Sequence, residues 1–194
     1  MKTLGLVSIF GLMFFNLGCA KPLMTRDLKL AKRVRIDLPE PSAFGQSVAA
    51  AHRFEVQNRG QTYRFPAQVE IEPDRMVVVG LTPVGSRAFA LTYENGSLSY
   101  DVIPFFNLPL RPDQFMLAYC LMVWPEDKMA PVLASAGLER VDRGDKVDFR
   151  AGDRTILRLF IPETQADRQE MTLQHLQQGY WVKLETRQWE VFED

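Results

Sequence analysis

The sequence predicts a mainly β domain of the α+β class: an antiparallel sheet whose two groups of strands are separated by helices. Three observations lead there. From about residue 47, apolar and polar residues alternate with a period of two, the repeat of a strand with one dry and one wet face. Successive strand segments are joined by tight turns, so neighbouring strands run antiparallel rather than crossing over through helices. An apolar run at 115–124 then breaks the alternation with the length and start signals of a helix.

The N-terminus stands outside this fold. Lys2 precedes an almost wholly apolar stretch, 4–15, which ends in Asn16-Leu17-Gly18-Cys19-Ala20. That order of charged, apolar and small residues is an export signal, assigned to 1–18. Cys19 directly after Gly18 resembles a lipobox, which implies that Cys19 carries the lipid anchor. Cleavage after Ala20 is the competing reading. Residues 19–42 are assigned to anchor and tether, rich in Lys21, Arg26, Lys29, Lys32, Arg33 and Arg35 and closed by Pro39 and Pro41. Such a segment either is attracted to acidic head groups or serves as a solvated spacer or short surface helix, the commoner case. Residues 43–194 form the β domain.

Within that domain Tyr63, Phe65, Ala67, Val69 and Ile71 alternate with Arg64, Gln68, Glu70 and Glu72. Pro66 marks an edge or a bulge. Pro73-Asp74 turns into a strand at 76–81, and 82–86 turns into another at 88–93. Asn95-Gly96 is a hairpin signal, because both residues accept a positive φ, and Leu98, Tyr100 and Val102 continue the sheet. Pro112-Asp113 opens the apolar helix, with proline in its first turn beside an acid. A helix apolar on every side must be covered on every side. A second helix begins after Pro125 and closes at Gly137, with Pro131 as a kink. Strands return at 138–141, 146–150 and 155–161. A polar loop at 163–170 precedes a last hairpin of 171–176 and 180–192.

Little in the chain speaks for catalysis. His52 and His175 have no ligand-type residues at metal spacing, and each is read as an ordinary strand or surface residue. No nucleophile elbow, zinc motif, redox Cys pair or phosphate loop occurs. Basic and acidic residues number 23 and 24, so no excess of positive charge speaks for nucleic acid. With Cys19 acylated, Cys120 is left alone in an apolar run and reads as a buried small hydrophobe. No catalytic residue, metal or cofactor is expected. A hydrolase site assembled from distant residues is the remaining enzymatic alternative.

Three segments carry a family resemblance. Val77-Val78-Val79-Gly80-Leu81-Thr82-Pro83-Val84-Gly85-Ser86 resembles the strand and tip of the protruding loop of LolB, the outer-membrane lipoprotein receptor. Trp124-Pro125 ends an apolar helix where LolB and its soluble partner LolA have cavity-covering helices. Residues 171–184 resemble their closing hairpin. More closely, 115–125 and 178–186 resemble LolB-like lipoproteins of unknown function whose genes often accompany aryl-polyene synthesis clusters.

The resemblance implies a curved, incompletely closed antiparallel sheet, a half-barrel with helices covering its concave face. It further implies an apolar cavity. The candidate walls are Phe65, Val69, Ile71, Phe89 and Leu91 from strands, and Phe115, Leu117, Leu121 and Trp124 from the helix. By residue pattern alone the same stripes are more often a packed core. The resemblance makes Pro83, Val84 and Gly85 a membrane-insertion loop, while the turn alone puts Val84 at the surface. The implied function is a monomeric, lipid-anchored carrier on the periplasmic face of the outer membrane. It would take an acyl chain or polyene lipid, with a periplasmic LolA-like carrier as a partner, and deliver it to the membrane. An interaction scaffold with a filled core is the alternative.

Overall fold

A computed structural model describes residues 21–24, 27–104, 106–162 and 170–192. The segment read as an export signal, Cys19 and most of the 163–170 loop lie outside the described residues. The first group of strands is β1 (Lys21–Met24), β2 (Leu28–Ala31), β3 (Val34–Ile36), β4 (Ser47–Asn58), β5 (Gln61–Ile71), β6 (Arg75–Leu81), β7 (Arg87–Glu94) and β8 (Ser97–Val102). Helices α1 (Pro112–Val123) and α2 (Glu126–Ser135) follow. The second group is β9 (Glu139–Asp142), β10 (Lys146–Ala151), β11 (Arg154–Phe160), β12 (Glu170–His175) and β13 (Tyr180–Phe192).

Eleven of these strands form one sheet in the order β1-β8-β7-β6-β5-β4-β13-β12-β11-β10-β9, while β2 and β3 pair separately. The sheet is antiparallel and open, with β1 and β9 as its edges. Strands β4–β8 and β9–β13 each form a meander of sequential neighbours. The two are joined where β13 runs along β4, from Trp181 opposite Gln57 to Phe192 opposite Ser47.

The alternation in β5 is realised in full: Phe65, Ala67, Val69 and Ile71 are buried, and Arg64, Pro66, Gln68 and Glu70 are exposed. Pro66 stands just beyond Ala67, where pairing with β6 begins, so its missing N–H falls where β5 is locally an edge. The wet face carries ion pairs such as Arg64–Glu55 at 2.7 Å and Lys183–Glu170 at 2.7 Å. The dry face curls around α1. Phe115 makes ring contacts with Phe54 on β4, Phe65 on β5 and Phe89 on β7, so one helical position meets three separate strands. Gly80 permits part of this packing, since a Cβ there would overlap the buried ring of Phe89.

Helix α1 starts with proline in its first turn, as expected, and stops at Trp124, whose extended backbone is what the following Pro125 requires. Helix α2 contains Pro131 and closes on Gly137 at φ +66°. Gly137 N–H donates to Ala134 O and Leu138 N–H to Leu133 O, a Schellman cap sealed by the buried Leu133 and Leu138.

The structure overturns the spacer reading of the segment before residue 42. Leu28, Leu30, Ala31, Val34, Ile36 and Leu38 are all buried, and β1 pairs with β8. The hairpin is amphipathic. Lys29, Lys32, Arg33 and Arg35 face solvent while the apolar residues between them cover the core. Leu30 O accepts hydrogen bonds from His175 Nε2 at 2.8 Å and from Gln178 Nε2 at 3.1 Å, which fastens the hairpin to the β12–β13 turn.

Candidate functional site

The residues expected to line a cavity are brought together. Phe65, Val69, Ile71, Phe89 and Leu91 lie on the dry face of the sheet, and Phe115, Leu117, Leu121 and Trp124 on or at the end of α1; all are buried. They meet as packed rings and alkyl groups. Centroid separations are 5.0 Å for Phe54–Phe115, 5.4 Å for Phe65–Phe89 and 5.6 Å for Phe54–Phe65. Trp124 packs edge-on against Phe44 at 4.8 Å. Of this set, the clefts described in the structure are lined by Ile71 and Val69. The interior is packed ring against ring by its own side chains. It is also soft: Met76, Met116, Met122, Met129 and Met171 are all buried in it, and methionine repacks readily.

The Pro83–Gly85 tip is built very differently. Gly85 N–H donates to Thr82 O, Thr82 N–H to Ser86 O, and Ser86 N–H to Thr82 Oγ1. Gly85 has φ +82°, so the tip is a three-residue hairpin loop closed by a left-handed glycine. A loop this tight cannot fold its central side chain back onto the sheet. Val84 is 87% exposed, the most exposed large hydrophobic residue among those described.

Both histidines are buried strand residues. His52 on β4 lies within hydrogen-bond distance of the Tyr119 hydroxyl, 3.0 Å from Nε2, and its Nδ1 has no partner. Burial lowers its pKa to about 4. His175 is satisfied at both nitrogens: Nε2 donates to Leu30 O, and Nδ1 accepts from Gln178 N–H. Among the described residues no group of His, Cys, Asp and Glu is arranged to hold a metal. Cys120 is buried, and loss of solvation pushes its thiol pKa far up, as befits a packing residue.

Residues 49–188 match the model of a family described as protein of unknown function, DUF3261. The chain belongs to this family. No curated protein matches it. Solved structures similar to this DUF3261 chain include a LolA superfamily protein from Nitrosomonas europaea, 11% identical with a TM-score of 0.43, covering 79% of this chain and 91% of that one. An outer membrane lipoprotein-sorting protein domain from Vibrio parahaemolyticus is 10% identical with a TM-score of 0.41, over 77% of this chain and 88% of that one. A DUF1329 family protein from Desulfovibrio piger is 10% identical with a TM-score of 0.38, over 79% and 93%. Function has to be argued from the chain's own geometry.

Sequence reasoning missed the open clefts and the His52–Tyr119 pair. The pair had a faint signal, since His52 falls in phase with Val48, Ala50, Phe54 and Val56 on the dry face of β4. The clefts had none, because segments far apart in the chain build them.

Proposed function

We propose that this DUF3261 protein is a lipid-anchored envelope protein that takes an apolar ligand between its sheet and α1 and delivers it at a membrane touched by Val84. The observation that carries the reading is the tip itself: a valine 87% exposed on a loop pinned by three hydrogen bonds. A rigid apolar tip loses little order on entering lipid, and burying the side chain contributes about 1–2 kcal/mol. The acyl group on Cys19 would hold the domain on the periplasmic face of the outer membrane, where a LolA-like carrier is a fitting donor. The ligand class is an acyl chain or a polyene lipid, captured at about 0.8 kcal/mol per buried CH₂. Uptake requires α1 to lift from the sheet, and the methionines around it favour such repacking. No catalytic step is part of this reading.

One observation favours the alternative, an envelope interaction protein without ligand transfer: the ring packing of Phe54, Phe65, Phe89 and Phe115 already occupies the space. A transfer assay separates the two. The protein is loaded with a fluorescent fatty acid and mixed with acceptor vesicles. Val84→Glu should load normally and transfer slowly, and Val84→Leu should transfer like wild type. Equal rates for Val84→Glu and wild type would remove the membrane role of the tip. Wild-type protein that never loads leaves the interaction reading standing.

A further inference from the structure

The turn between β4 and β5 places an arginine where the backbone disfavours one. Asn58 pairs with Gln61, so the loop is two residues long, and both take the left-handed conformation, Arg59 at φ +51° and Gly60 at φ +79°. Asn, Asp or Gly suits the first of these positions, and a long L side chain there is strained. Strain held at one residue points to a use for its side chain.

That side chain lines a cleft of about 570 Å³. Leu108 and Tyr180 supply its apolar wall, and Arg111, Gln114 and Gln178 join Arg59 on the polar side. The walls are pinned. Asn58 Nδ2 donates to Pro109 O at 2.7 Å, and Gln114 Nε2 donates to Gln178 Oε1 at 2.8 Å. Gln178 is in turn tied to Leu30 O. Arg111 is committed to the buried carboxylate of Asp113 through Nε and Nη2. Arg59 has no carboxylate partner among the described residues, so it leaves the cleft with an uncompensated positive charge.

The cleft also faces a definite direction. In an antiparallel sheet of this order the β4–β5, β6–β7 and β12–β13 turns open on one end, which puts the cleft on the end that carries Val84. Strand β1 begins toward that end, with Lys21 opposite Tyr100 of β8.

We infer that this cleft takes the phosphate or carboxylate head of an amphiphile, with Arg59 as its counter-charge and the Leu108–Tyr180 side against the first carbons of its chain. The inference rests on the lipid-handling reading above and adds to it the charge of the ligand. Calorimetry on the full-length protein in a neutral maltoside detergent tests it, with hexyl phosphate, inorganic phosphate and hexanol as probes. Hexyl phosphate should bind wild type, and Arg59→Asn should weaken it about tenfold or more, the worth of a charge-assisted contact. Hexanol binding should be the same for both proteins, and inorganic phosphate should bind more weakly than hexyl phosphate. The melting temperature of Arg59→Asn should equal or exceed that of wild type, because Asn accepts the left-handed turn. Arg59→Gly is the second variant should Asn destabilise the loop. Failure of wild type to bind hexyl phosphate overturns the proposal, as does equal affinity in wild type and variant. Inorganic phosphate binding as tightly as hexyl phosphate, or a parallel loss of hexanol binding, does the same. A slow Val84→Glu transfer alongside an unaffected Arg59→Asn would sink this inference alone.

Discussion

Acid should weaken this protein through one buried imidazole. His52 is 2% exposed, and its ring meets Phe54, Tyr119 and Trp189 at centroid distances of 5.9, 5.5 and 6.1 Å. None of these three neighbours supplies a negative charge to stabilise an imidazolium. Burial therefore lowers the pKa from 6.5 to about 4. In the unfolded chain the group titrates near its ordinary value, so between those two values the unfolded state binds a proton that the native state refuses. Stability is full above pH 6.5 and falls as the pH drops toward 4. The difference of 2.5 pH units between 6.5 and about 4 corresponds to about 3 kcal/mol. That is a large share of the 5–15 kcal/mol typical of a domain, roughly speaking. His175 contributes in the same direction, since burial lowers its pKa as well. Urea unfolding at several pH values from 7.5 to about 4 measures the slope, and His52→Gln, which keeps a polar partner for Tyr119, removes one titration. Carboxylates titrate alike in both proteins, so the difference between the two curves isolates His52. Parallel loss of stability in wild type and His52→Gln would refute the assignment.

Two further outcomes are expected. Gly80→Ala should destabilise the domain by about 1–3 kcal/mol, because the added methyl overlaps the buried Phe89 ring. Urea midpoints check this, and a Phe89→Leu background should restore part of the loss; a neutral Gly80→Ala would contradict the close approach. Cys19→Ser should abolish labelling by an alkyne fatty acid and release the protein from membranes, whereas unchanged fractionation would favour cleavage after Ala20.

The local features were legible in the residues. Alternation fixed the dry face of β5, Asn95-Gly96 the β7–β8 hairpin, Pro112 the start of α1 and Gly137 the cap of α2, because each depends on a few neighbouring residues. The Val84 tip was legible for the same reason: proline and glycine flank a residue that a short loop cannot bury. The 28–38 segment was misread although Leu28, Leu30, Val34 and Ile36 already alternate there. Its exposed cations dominated the composition, and only the docking of the hairpin onto His175 and Gln178 gave its apolar face something to cover. The same holds for the pairing of β13 with β4, which joins two meanders into one open sheet. Nothing local in either strand specifies that partner, since a dry face fits many others. Tertiary packing also decided whether the stripes from β5, β7 and α1 enclose a space or fill it. Periodicity says which way a side chain points, while the room left between opposing faces depends on how closely sheet and helix approach. The charge of the Arg59 cleft is likewise a property of the assembled chain, because residues from three separate segments meet there only once the sheet has formed.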